Sequence, residues 1–150
     1  MGLQENVMTD LKAAMKAKDS IALEALRAIK SAILLTQTEK GGGNGFTTED
    51  EIKLVQKLVK QRKDSAAIYK EQGRDDLAEP ELAQVAVIEK FLPEQLNIDE
   101  IENIVVRTID TLGASSMKDM GKVMGVVSKE LAGKADGKTI STIVKNKLAQ

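Results

Sequence analysis

The sequence contains no cysteine, no histidine and no tryptophan. Without cysteine there is no disulfide, no thiolate nucleophile and no cysteine zinc site. Without histidine the commonest general base, the usual catalytic triads and most transition-metal sites are gone. Aromatic residues make up 2% of the chain, namely Phe46, Tyr69 and Phe91. The core must therefore be built from Leu, Ile, Val, Ala and Met. No apolar run reaches membrane-spanning length. The start, Met1-Gly2-Leu3-Gln4-Glu5-Asn6, has neither a basic cluster nor an apolar stretch of signal length. These absences predict a soluble, cytoplasmic chain with no membrane partner, no metal and no cofactor.

What is present is a globular composition: 150 residues, 42% hydrophobic and 30% charged, with 22 basic against 23 acidic side chains. That length suits one compact domain or two small ones. Acid–base work by Asp, Glu, Lys or Tyr remains possible, and acid pairs are present. Asp75–Asp76 and Glu79–Glu81 lie near a predicted helix start, where acids favour the dipole and the exposed N–H groups. They are read as capping residues, so the sequence predicts no catalytic residue. Function then comes from what the chain binds.

The periodicity predicts helices throughout and no strand. The first covers 3–18, with Leu3, Val7, Leu11, Ala14 and Met15 inward. Asp19-Ser20 breaks the chain and caps a second helix over about 20–40, which buries Ala22, Leu26, Ile29 and Ile33. A flexible connector, Gly41-Gly42-Gly43-Asn44-Gly45, follows. Thr48 with Glu51 reads as a capping box for a third helix, with Ile52, Val55, Val59, Ala66 and Tyr69 as its core stripe and Gly73 at its end. Arg62 falls on that stripe, so it should be at least half buried and held structurally by a carboxylate or carbonyl on another helix. Lys53, Lys57 and Lys60 lie on the opposite face as a second, weaker basic strip. A fourth helix over about 76–92 turns Leu82, Val85, Ile88 and Leu92 inward and contains Pro80, a kink candidate.

Pro93 marks the predicted domain boundary, giving domains 1–92 and 97–150. Asn97 with Glu100 caps a fifth helix with Ile98, Ile101, Val105 and Leu112 inward, closed by Gly113. Ser116 caps a sixth, ending at Gly133, and Asp136 caps a seventh carrying Ile140, Ile143, Val144 and Leu148. The fold class is therefore all-α, an N-terminal four-helix unit and a C-terminal three-helix unit. Gly133-Lys134-Ala135-Asp136-Gly137-Lys138-Thr139 superficially suggests a phosphate loop. It has three residues between its glycines where the nucleotide motif needs four, and it joins two helices instead of following a strand.

The sixth helix carries most information. Met117, Met120, Met124, Val127 and Leu131 form one stripe, read as core, since Met fills irregular gaps. Lys118, Lys122 and Lys129 lie opposite, flanked by Gly121 and Gly125. Interior glycines cost roughly 1 kcal/mol each relative to alanine, so two of them call for a reason. Close packing by a neighbouring helix is one; an open backbone that a phosphodiester chain can approach is the other. The sequence alone favours packing. Charge is also segregated. Residues 94–112 hold five acids against Arg107, net −4, whereas 113–150 hold seven lysines against three acids, net +4. Such a concentration can hold phosphates, although no aromatic in this tail could stack on bases. From charge alone it reads as an ordinary solvated face.

The run Ser115-Ser116-Met117-Lys118-Asp119-Met120-Gly121-Lys122-Val123-Met124-Gly125, followed by Gly133-Lys134-Ala135-Asp136-Gly137-Lys138, closely resembles the GatB/YqeY family. Leu26-Arg27-Ala28-Ile29-Lys30-Ser31-Ala32-Ile33, Lys60-Gln61-Arg62-Lys63-Asp64-Ser65 and Phe91-Leu92-Pro93-Glu94-Gln95-Leu96 are similar to it too. Pro80 and the Gly41–Gly45 connector depart from the usual pattern. The resemblance implies a stand-alone YqeY-like protein of two helical subdomains. Its C-terminal part resembles the tail domain of the GatB component of the glutamyl/aspartyl-tRNA amidotransferase. That implies tRNA contact by residues 113–150, through Lys118, Gly121, Lys122, Gly125, Lys129, Lys134 and Lys138. It supplies no active site; a carbon–nitrogen ligase label with glutamine as amide donor would reflect the shared tail. The expected function is a non-catalytic tRNA-binding accessory module, with a protein-interaction adaptor of the translation machinery as the alternative.

Overall fold

The computed structural model describes residues 2–39 and 46–149. They form seven α-helices: α1 Leu3–Ala17, α2 Ser20–Glu39, α3 Thr48–Glu71, α4 Asp75–Ile88, α5 Ile98–Leu112, α6 Met120–Glu130 and α7 Gly137–Leu148. Short 3-10 turns cover Glu89–Phe91 and Met117–Asp119. No strand occurs among the described residues. The predicted Gly41–Gly45 connector lies outside them. The chain divides into two compact units, Met1–Leu92 and Pro93–Gln150, each with its own apolar cluster.

In the first unit, Lys18 takes a left-handed conformation (φ 56°) and turns the chain from α1 into α2. The Asp19 carboxylate then accepts the Ala22 N–H at 3.1 Å, which satisfies one of the donors a helix start leaves open. Leu3, Val7, Leu11 and Ala14 of α1 pack with Ala25, Leu26, Ile29 and Ile33 of α2, and with Leu54, Val55, Val59, Val85 and Ile88. Met15 is 56% exposed, against the reading that turned it inward. It lies about 100° round the helix from Ala14, at the margin of the stripe. Ala22, Ile52, Tyr69 and Leu92 are half-buried. The capping box of α3 sits one residue earlier than predicted. Thr47 Oγ1 accepts the Asp50 N–H at 3.1 Å, and Asp50 Oδ2 accepts the Thr47 N–H at 3.0 Å.

Helix α4 continues through Pro80 without ending there. Its inward sector is set by Ala78, Val85 and Ile88, which are all buried. Leu82 lies about 40° past Ala78, away from Ile88, and is 37% exposed instead of inward.

In the second unit, Gln95 Nε2 donates to the Gly133 carbonyl at 2.6 Å and the Leu96 N–H to the Lys134 carbonyl at 3.0 Å. These bonds fix residues 95 and 96, ahead of α5, onto the turn that follows α6. The Asn97–Glu100 capping box forms as the sequence reads it. Ile98, at the first helical position, is 53% exposed and does not join Ile101 and Val105 in the core. Thr108 is buried alongside them and back-bonds its hydroxyl to the Ile104 carbonyl at 2.8 Å. Gly113 (φ 66°) closes the helix in the left-handed region, where glycine carries no Cβ penalty.

The sixth helix is shorter than predicted. Ser116 Oγ accepts the Lys118 N–H at 3.4 Å, but the residues that follow form a 3-10 turn before α6 begins. Val123, Val127 and Leu131 are the buried residues, with Met120 and Met124 packed at the edge. Met117 is exposed, because the 3-10 turn breaks the helical phase that placed it on the stripe. Asp136 accepts the Thr139 N–H at 3.2 Å and caps α7, whose Ile140, Ile143, Val144 and Leu148 are all buried.

Candidate nucleic-acid interface

Burying Val123, Val127 and Leu131 fixes what α6 shows to solvent. At about 100° per residue, Lys122, Gly125 and Lys129 fall within about 60° of one another, opposite the core. Lys122 and Lys129 are about 10.5 Å apart along the axis. All three are exposed, as are Lys118 in the preceding 3-10 turn, Lys134 in the following turn and Lys138 in the first turn of α7. Lys118 lies outside α6 itself, so it flanks the sector instead of continuing it.

The surroundings of the two glycines decide against packing as their reason. A Cβ built on Gly121 or Gly125 would meet no heavy atom within 4 Å. Both residues are exposed, and the backbone beside Lys122 and Lys129 is open. The face is thus low and accessible between two cations.

The local acids leave these cations uncommitted. Asp119 Oδ2 accepts the Ser115 N–H at 3.0 Å, Glu130 pairs with Arg107 at 2.7 Å, and Asp136 caps α7. Among the described residues, none of Lys118, Lys122, Lys129, Lys134 and Lys138 forms an ion pair. The strip on α3 differs. Lys53 pairs with Glu49 at 3.3 Å and Lys60 with Asp64 at 2.9 Å, while the neighbouring Lys63 meets Glu89 at 3.2 Å. That strip is largely neutralised on its own surface.

Lys145 contributes to the tail charge but does not figure among the residues the sequence assigns to the site. It lies seven residues beyond Lys138, within about 20° of it around α7, and is exposed. The i to i+7 spacing carries that signal. Arg62 is half-buried; its Nε donates to Gln84 Oε1 on α4 at 2.8 Å and its Nη1 to the Leu58 carbonyl at 3.1 Å. An amide, not a carboxylate, thus joins α3 to α4 through this side chain. No group of three or more acidic side chains able to hold a metal occurs among the described residues. None of their helices is long and apolar enough to cross a membrane.

Fold and surface together define a small all-helical protein whose C-terminal unit displays an unpaired basic face. The family model described as Yqey-like protein matches residues 4–148, and the chain belongs to the YqeY family. Curated relatives carry the name "Altered inheritance of mitochondria protein 41, mitochondrial". The one from Clavispora lusitaniae is 32% identical over 129 residues, covering 86% of this chain and 74% of its own. That from Pyrenophora tritici-repentis is 31% identical over 133 residues, covering 86% and 71%. That from Saccharomyces cerevisiae (strain YJM789) is 29% identical over 150 residues, covering 94% and 78%. These names overturn the cytoplasmic placement. A lack of cysteine is compatible with either compartment, so it does not decide the placement.

Proposed function

We propose that this chain is a non-catalytic accessory protein that contacts tRNA through its C-terminal unit. One observation carries the reading: unpaired lysines border an open glycine backbone on α6, while the nearby acids are held by other donors. Such a surface suits phosphates and 2′-hydroxyls, which present the same chemistry on every tRNA. Lys118, Lys122, Lys129, Lys134 and Lys138 meet phosphates, and Gly121 and Gly125 let the strand approach. Residues 97–150 act as the RNA-contacting domain and 1–92 as a separate helical domain. The likeness to the tail of the tRNA amidotransferase supports the choice of tRNA. Any ligase chemistry belongs to other chains.

The test is tRNA affinity of Lys122→Glu/Lys129→Glu beside a control, Lys53→Glu/Lys60→Glu, on the paired α3 strip. The first pair should weaken binding of different tRNAs about equally, and the control should do far less. Equal loss in both variants would refute a localised site. A second reading, an adaptor that docks a protein on the first unit, is favoured by Leu35 on α2, which is 62% exposed.

A further inference from the structure

The first unit carries a groove of about 420 Å³ between α2 and α3. Its walls follow helical spacing on both sides: Ala32 and Leu35 from α2, and Lys53, Leu54, Lys57 and Leu58 from α3. From Asp50 to Gln61 the α3 wall runs about 16 Å, enough to seat three turns of another helix. Leu54 is buried, Ala32 and Leu58 are half-buried, and Leu35 stands open to solvent. This is the form of a helix-in-groove site, in which apolar residues at i, i+3 and i+4 enter the space between two helices.

Charge selects the occupant. On the α3 rim Lys53 is held by Glu49, which does not line the groove. Lys57, one turn on, is exposed and forms no ion pair among the described residues. The Asp50 carboxylate at the end of the wall is taken up by the Thr47 capping box. Glu39, the last residue of α2, also lines the groove, is exposed and forms no ion pair among the described residues. The groove therefore offers an apolar floor with the unpaired Lys57 on its α3 rim and an unpaired acid at the Glu39 end. A nucleic-acid backbone would leave the leucines unused. An amphipathic helix with an acid along one edge would use both the leucines and Lys57.

We propose that the α2–α3 groove binds an amphipathic helix of a protein partner, with its leucine-like stripe against Leu35 and Leu58 and an acidic residue on Lys57. This deepens the adaptor reading, on which it rests, and is independent of the RNA reading. The test uses the full chain, isotopically labelled, and two synthetic three-turn helical peptides. Both peptides carry leucine at i, i+3, i+4 and i+7; one has glutamate along the flank and the other lysine. Amide shifts locate binding and give affinity. The glutamate peptide should bind saturably, with shifts centred on residues 32–36 and 53–61. Leu35→Ser should weaken it about tenfold through lost apolar burial. Lys57→Glu should weaken it about fivefold and allow the lysine peptide to bind instead. Leu35 is mostly exposed, so these variants keep the fold, which their spectra verify.

Shifts centred elsewhere on the first unit would overturn the groove but leave the adaptor reading. No binding of either peptide would overturn both. Equal affinity of the two peptides would overturn the role of Lys57. Concentration-dependent self-association abolished by Leu35→Ser would identify a second copy as occupant and overturn the proposal. So would loss of tRNA affinity in Lys57→Glu equal to that of the α6 variant.

Discussion

Replacing Gly125 with alanine should stabilise the C-terminal unit. Gly125 lies in the middle of α6, its backbone is helical, and the added Cβ meets nothing within 4 Å. No packing penalty arises, so the helix-propensity difference stands alone at about 0.8–1.0 kcal/mol. Gly121 is the second residue of α6, where the ladder is incomplete, and its gain should be smaller. The two units need not unfold together, so a single melting curve would mix them. Native-state hydrogen exchange at the Val123 and Val127 amides reads α6 directly. A gain of about 0.9 kcal/mol slows exchange about fivefold where these amides report that opening. Unchanged or faster exchange would mean that a neighbour occupies the glycine face, and the open-backbone argument would fail. Gly125→Leu should likewise keep the fold, since leucine is a good helix former, yet weaken tRNA by blocking approach. Opposite signs in stability and affinity are the signature of a glycine kept for a ligand.

Three further outcomes test the framework. Arg62→Ala or Gln84→Ala should each destabilise the first unit, and a double-mutant cycle in urea should give a coupling of about 1 kcal/mol; additivity would show that the 2.8 Å bond contributes nothing. Asn97→Ala should cost about 1 kcal/mol through loss of the α5 cap, measured by exchange at the Ile101 and Val105 amides, and no change would show that the box is not formed in solution. Arg74 donates to both Asp76 carboxylate oxygens, at 3.0 and 2.9 Å, and holds that carboxyl below its usual range. The pair's small contribution is present above the ordinary carboxylate pKa and lost as pH falls through the lowered one. Carboxyl NMR titration should show Arg74→Ala raising Asp76 towards its ordinary value, and an unmoved titration would deny the pair.

Much of the helix layout was legible because local chemistry decides it. Asn97 with Glu100, Asp136 ahead of an apolar run and Gly113 at a helix end act within a few residues, and each has its expected role. The α3 box slipped by one because Thr47-Thr48 and Asp50-Glu51 offer two registers with similar chemistry. The periodicity runs the α6 stripe through the methionines, whereas the tertiary neighbours bury Val123. Of the basic surfaces, Lys53 and Lys60 have acids four residues away, so their neutralisation was readable from spacing. The Lys63–Glu89 and Arg107–Glu130 pairs join separate helices and needed the fold. The open state of Gly121 and Gly125 also needed it. Nothing in a local pattern says whether another helix covers a face.

The central claim is that Lys122 and Lys129 hold phosphates. It is tested most directly by measuring tRNA affinity over a range of salt concentrations for the wild type and Lys122→Glu/Lys129→Glu. Each lost phosphate contact lowers the slope of log affinity against log salt by roughly one, so the double variant should lose about two. Several different tRNAs should give the same loss, with exchange protection at Val123 and Val127 intact. An unchanged slope, or no wild-type binding at low salt, would contradict the account.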